Sequence, residues 1–275
     1  SETSLDAADQ INVHQRIEGQ DLQQLAKGTS SAKKTVCSFW VRSSVASTYT
    51  LELQDSDNNR SISKTYTIDS ANTWEKKEVV FDGDTTGALN NDNGRSMDVR
   101  WWIDAGSNFT SGTLATSWAT VVSANRVSAT TGWLESTSPQ FYITGVQWEL
   151  GEQATPFEHR SFADELQRCQ RYYQKHGNET STHRYLAPAY SNQTTQAQGV
   201  LTLPVTMRAA PTTSVSGSFE LLSGSSGFSI TLNTKELNQS SVGLEPSGSG
   251  FTANSGGIIR ANNDTTAQLK LDAEL

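Results

Sequence analysis

Cysteine is almost absent from the sequence: Cys37 and Cys169 are the only two in 275 residues. Two thiols make no disulfide framework of the kind that staples small secreted domains, so the chain fits assembly in a reducing cytoplasm. Spacing does not bring the two together, and each reads as a small buried hydrophobe. Long apolar runs are missing too. No stretch approaches the roughly 20 apolar residues that cross a bilayer, and no charged start leads into an apolar run as a secretory signal requires. Positive charge is also scarce, with 21 Lys and Arg against 29 Asp and Glu. Without clustered cations to release counterions from phosphates, nucleic-acid binding is not expected, and without a long apolar run neither is membrane insertion.

Uncharged polarity is what the chain has in quantity. Hydrophobic residues make up 35% and charged residues 18%, so Ser, Thr, Asn, Gln and Gly carry the balance, as in a folded β-rich protein rather than a disordered one. Residues 1–34, with "IEGQDLQQLAKGTSSAKK", form a polar lead-in or attachment segment. Residues 35–160 carry short alternating runs separated by turn residues, the mark of an antiparallel sandwich. Alternation assigns Cys37, Phe39 and Val41 to one face, as it does Tyr49, Leu51 and Leu53, then Ile62, Tyr66 and Ile68, then Val79 and Phe81. Met97, Val99, Trp101 and Ile103 follow, and Phe141, Ile143, Val146 and Trp148 complete the inner set. At least six short strands with long polar loops suggest a jelly-roll β-sandwich.

Ser161, followed by Asp164 and Glu165, is a capping-box-like helix start. Phe162, Leu166, Cys169 or Gln170, and Tyr173 recur at helical spacing, and Gly177 is a natural stop. The spacing therefore predicts a linking helix over 161–177. Residues 178–275 return to β pattern, with strands interrupted at Pro204 and Pro211, as a smaller C-terminal β domain. The fold class expected is all-β.

Catalytic patterns are missing. His14, His159, His176 and His183 fall in no metal-ligand spacing, and there is no nucleophile elbow or phosphate loop. Glu149 and Glu152 read as solvated strand-end carboxylates rather than the facing pair of a glycosidase. "DSDNNR" at 55–60 begins like a calcium loop, then places Arg60 where glycine is needed and Tyr66 where the bidentate glutamate belongs. A hairpin turn is the simpler reading. A calcium among Asp82, Asp84, Asn90 and Asp92 has no supporting pattern. No catalytic residue, metal ligand or cofactor is assigned.

Binding candidates come from the outward faces. Trp40 shares its face with Arg42, and Trp102 shares its face with Asp98, Arg100 and Asp104. Aromatic rings beside planar hydrogen-bonding groups are suited to a sugar face. The competing reading covers these tryptophans with long loops or a neighbouring protomer. Tyr185 and Tyr190, in a polar stretch of the last domain, are further candidates for surface contact.

Several blocks resemble a known family. "RIEGQDLQQLAKGTSSAKKTVCSFWVRSS", "FDGDTTGALNNDNG", "QFYITGVQWELGEQATPFEHRSFADELQRCQRYYQK", "LPVTMRAAPT" and "LKLDAEL" look like tail-fibre or fibre-like virion proteins of tailed bacteriophages. The resemblance covers nearly the whole chain from about residue 10. It implies a jelly-roll domain similar to carbohydrate-binding modules, then the helix and a small β domain, often in homotrimers on the virion. It implies no enzyme. The expected partners are other virion proteins and a host surface glycan or receptor. Three functions compete: a host-binding fibre, a structural connector of tail or capsid, and, least supported, a glycan-depolymerising enzyme.

Overall fold

The computed structural model describes residues 4–177 and 180–275. Residues 1–3, in the expected lead-in, and Asn178 and Glu179, at the expected start of the last domain, lie outside the described residues. The chain is all-β and forms two compact units, one spanning 1–159 and the other 160–274.

The first unit contains β1 (Gln10–Glu18), β2 (Thr35–Ser43), β3 (Thr48–Asp55), β4 (Arg60–Thr67), β5 (Glu75–Phe81), β6 (Arg95–Ala105), β7 (Ala119–Thr120) and β8 (Phe141–Leu150), with the short helix α1 (Ser107–Thr110) after β6. One antiparallel sheet runs β1-β6-β3-β4-β7 and the other β5-β2-β8. A single core fills the space between them. Cys37, Phe39, Val41 and Phe81 of the smaller sheet meet Tyr49, Leu51, Leu53, Ile62, Met97, Val99 and Trp101 of the larger, all buried. The alternation read from sequence therefore gives the inner faces correctly, apart from Val146, which a bulge turns toward solvent.

The segment read as a lead-in is part of this sandwich. β1 pairs along β6 from Gln10↔Ala105 to Glu18↔Arg95, and a 3-10 helix at Gly19–Leu25 buries Leu22 and Leu25 in the core. Lys27 follows, buried, and its ammonium meets Asp55 at 2.5 Å, Asp84 at 3.1 Å and the carbonyls of Thr86 and Gly87 at 2.9 Å. Arg60 donates two further bonds to Asp84, at 2.7 and 3.0 Å. "DSDNNR" is accordingly the β3–β4 hairpin turn, closed by Asp55 accepting from the Asn58 amide and by Asn59 at φ 51°.

The outer face of the larger sheet is polar yet closed. Glu52, Trp102, Asp98, Arg100 and Asp104 all project from it and all are buried: residues from 106–134 meet Glu52, Trp102 and Asp104, while Asp98 is paired with Arg95 and Arg100 of its own strand. Arg126 of that segment donates to both oxygens of Glu52, at 2.8 and 2.7 Å, and the Trp102 indole N–H donates to the same carboxylate at 2.9 Å. The Arg126 and Arg100 guanidinium groups stand 5.1 and 5.4 Å from the Trp102 ring, and Phe109 packs on it at 5.4 Å. Asp104 accepts from the amides of Thr131 and Leu134.

The second unit opens with α2 (Phe162–Gln170) and continues through β9 (Tyr173–Gly177), β10 (Tyr185–Ser191), β11 (Ala197–Thr202), β12 (Thr212–Ser216), β13 (Phe219–Ser223), β14 (Ser226–Thr231), β15 (Thr234–Lys235), β16 (Ser241–Leu244), β17 (Ser247–Gly248), β18 (Ser255–Ala261) and β19 (Gln268–Asp272). An eight-stranded sheet, β15-β16-β11-β10-β18-β13-β14-β17, and a three-stranded one, β12-β19-β9, share a core around Met207, Leu221, Val242, Ile259, Leu269 and Leu271.

The helix is shorter than its spacing predicts. Ser161 caps it by accepting from the Asp164 amide, but it ends at Gln170, and Tyr173–Gly177 is a strand along β19. Gln174 decides this: its buried amide donates to the carbonyls of Gln170 and Val205, at 3.1 and 2.7 Å, and pairing with β19 supplies the backbone partners that a further helical turn would have supplied. The expected apolar stripe is not covered, with Phe162 81% exposed and Leu166 42%. Cys169 is exposed rather than buried, whereas Cys37 is a core residue whose thiol pKa burial pushes up to about 12.

Removing the partner of a buried charge leaves that charge uncompensated. Arg126→Ala is therefore expected to cost about 3–5 kcal/mol, read as a lowered urea midpoint. Arg42→Ala, at an arginine without an ion pair, should move the midpoint by much less.

Candidate functional site

With the middle of the larger sheet covered, the outer face of β5-β2-β8 is where aromatic side chains of the sandwich stand exposed. Register fixes its side chains in rows. Tyr142 lies opposite Arg42, while Lys76 and Thr144 flank Trp40. Trp74 immediately precedes β5, so it and Tyr142 approach from opposite sides of β2, and their rings come within 6.3 Å. The Arg42 guanidinium stands 5.4 Å from the Tyr142 ring. Trp40, Trp74 and Tyr142 are each 42–44% exposed. Three aromatic rings held half in solvent on one sheet face are an uncommon arrangement without a ligand or partner.

Two local features shape this face, one making room on it and one covering part of it. A bulge in β8 sets Gly145 and Val146 against the single residue Phe39. Gly145 takes φ 58°, and a Cβ there would stand 3.3 Å from Cδ1 of Trp40, so glycine supplies both the backbone turn and the room for the indole. The other feature is the return of the chain after β8. Glu149 accepts from the amide and hydroxyl of Thr155, both at 2.8 Å, and Gln147 accepts from the Glu158 amide at 2.8 Å while donating to the Thr155 hydroxyl at 2.9 Å. That return segment lies over one end of the face, above Val36 and Ser38, both buried. The hydrogen bonds from Gln147 and Thr155 hold the Glu149 carboxyl below the usual carboxylate range. Glu149 thus serves as the acceptor that fixes the returning chain.

The sequence-derived candidates separate into three groups. Trp40 and Arg42 stand on the open face. Arg100, Trp102 and Asp104 do not: they point outward from their sheet as expected, but the 106–134 segment covers them, and the reading that placed them on an exposed binding surface is corrected. Tyr185 and Tyr190 are exposed on β10 of the second unit, where the Tyr190 hydroxyl donates to Asn254 at 3.2 Å. Trp74 and Tyr142 were missed by sequence reasoning. Trp74 sits in a turn with no alternation to assign it, and Tyr142 was passed over as the outward neighbour of two core residues.

Asp84, one of the acidic residues weighed for calcium, is neutralised by Lys27 and Arg60, which hold its carboxyl below its usual range despite the opposing effect of burial. Among the described residues no group of three or more His, Cys, Asp or Glu is placed to hold a metal ion, and no helix is long and apolar enough to cross a membrane. Compared with known proteins, the chain matches no family model and no curated relative.

The turn bearing Trp74 is itself pinned by a carboxylate. Glu75 pairs with Lys77 at 2.6 Å and accepts from the amides of Asp69 and Ser70. Chiefly through Lys77, these bonds lower its pKa from the ordinary 4.5 to about 2. A depressed carboxyl pKa contributes stability above the unfolded value and loses it as pH falls through the folded one. Glu75→Gln should accordingly lower the melting temperature at pH 7, with the gap from wild type closing between pH 4.5 and 2.

Proposed function

We propose that this protein is a non-enzymatic glycan-binding component of a bacteriophage virion, fibre-like and trimeric, that contributes to recognition of the host surface. The observation that carries the reading is the open aromatic face of β5-β2-β8, where Trp40, Trp74 and Tyr142 stand among Arg42, Lys76 and Thr144. Flat rings take the apolar face of a pyranose, and the flanking donors and acceptors take its hydroxyls, an arrangement that binds without any catalytic group. A β-sheet base holds the rings rigidly, so little ordering entropy is lost on binding. The resemblance of the "ITGVQWELGEQATPFEHR" and "RCQRYY" blocks to phage fibre-like proteins supports the virion setting, and three copies would let weak sites act together. The uncovered apolar stripe of α2, with Phe162 and Leu166, favours a second reading in which the chain is a structural connector that spends its exposed surfaces on neighbouring subunits.

Fluorescently labelled protein should decorate intact host cells, and Trp40→Ala should reduce that binding at least tenfold at unchanged oligomeric mass. Cells left undecorated by folded wild-type protein would transfer support to the connector reading. Light scattering on the same preparation is expected to give a trimer, and a monomeric mass removes that part of the proposal.

A further inference from the structure

The arginines of the first unit differ in one respect. Arg60, Arg95, Arg100 and Arg126, all at least half-buried, are each paired with a carboxylate: Asp84, Asp98, Asp98 and Glu52 respectively. Arg42 is also half-buried but forms no ion pair among the described residues, and its buried Nε has no hydrogen-bond partner. The neighbouring cation on this face, Lys76, is already matched by Glu78 at 2.7 Å. In a chain of net charge −8, where carboxylates outnumber cations, an unmatched guanidinium is not explained by a shortage of acids. It lies in the row between Trp74 and Tyr142, directly beside the Trp40 row. A guanidinium stacked on an aromatic ring keeps its planar fork of donors, which suits the paired oxygens of a carboxylate or phosphate.

We propose that the missing partner is the ligand's own anion: the face takes an acidic glycan, with one sugar ring stacked on Trp40 and a sugar-borne oxyanion on Arg42. This rests on the glycan-binding reading above and narrows its substrate class from any surface sugar to one bearing a carboxylate or phosphate. Trp74 and Tyr142 act as walls that exclude water from the ion pair, which makes it stronger than a pair on an open surface.

The test uses full-length protein and the polysaccharide extracted from cells that it decorates, in native, carboxyl-reduced and dephosphorylated forms. Wild type should bind the native form and lose at least tenfold in affinity for one of the two neutralised forms, and which one identifies the anion as carboxylate or phosphate. Arg42→Gln should bind native and neutralised forms alike, while Trp40→Ala should weaken all three. Equal wild-type affinity for all three, with Trp40 still required, overturns the acidic class and leaves glycan binding intact. A wild-type protein that decorates no cell overturns both.

Discussion

Glu52 projects from the middle of the larger sheet on the side away from the core, and none of it reaches solvent. A carboxylate in that position is costly unless every oxygen is met by a donor. β3 and β6 supply one donor, the Trp102 indole, and the remainder must come from elsewhere in the chain. Arg126 provides it, so residues 106–134 are drawn over this sheet, and Phe109, Thr131 and Leu134 settle around the same anchor points. Once that cover is in place, the outer face of the larger sheet is closed over β3 and β6, while His14 and Arg16 of β1 and Thr65 and Thr67 of β4 stay exposed at its margins. The smaller sheet, partly roofed by the return of the chain after β8, is then the face of the sandwich with room for another molecule.

Period-two alternation makes most of the core legible in the sequence, because a residue such as Phe39 or Leu51 has only one apolar place to go. Alternation reports which side of a strand a residue occupies; it is silent on what lies over that side. Trp102 was therefore assigned to the correct face and the wrong environment. A signal was present: Glu52, Asp98, Arg100 and Asp104 put charge onto strands otherwise buried on one side, and a charge-rich strand face asks for partners. Trp40 was legible for the same reason that Trp102 misled, and only the cover that Phe109 and Arg126 lay over Trp102 distinguishes them. Trp74 and Tyr142 needed the pairing of three strands before they could be seen to converge. The helix boundary failed because "YYQKHG" satisfies a helical period and a strand equally well until β19, nearly a hundred residues on, is available to pair with it.

The block "GVQWELGEQATPF", part of the family resemblance, has a physical division of labour. Gly145 makes the bulge, Trp148 returns to the core, Gln147 and Glu149 hook the returning chain, and Pro156 accompanies that return. In the second unit, "YQKHG", "TTSVS" and "QLKLD" form one small sheet from three distant stretches of chain, so the remote blocks serve a shared local purpose.

The eight-stranded sheet ends at both sides in strands of two residues, β15 and β17. An incoming strand needs a row of free amides and carbonyls long enough to register against, and two residues offer almost none. Lys235 on one of these edges adds a charge that further discourages pairing. That sheet is thereby guarded against edge-to-edge pairing at both ends, and its side-chain surfaces, rather than its backbone, are what it offers to a neighbour.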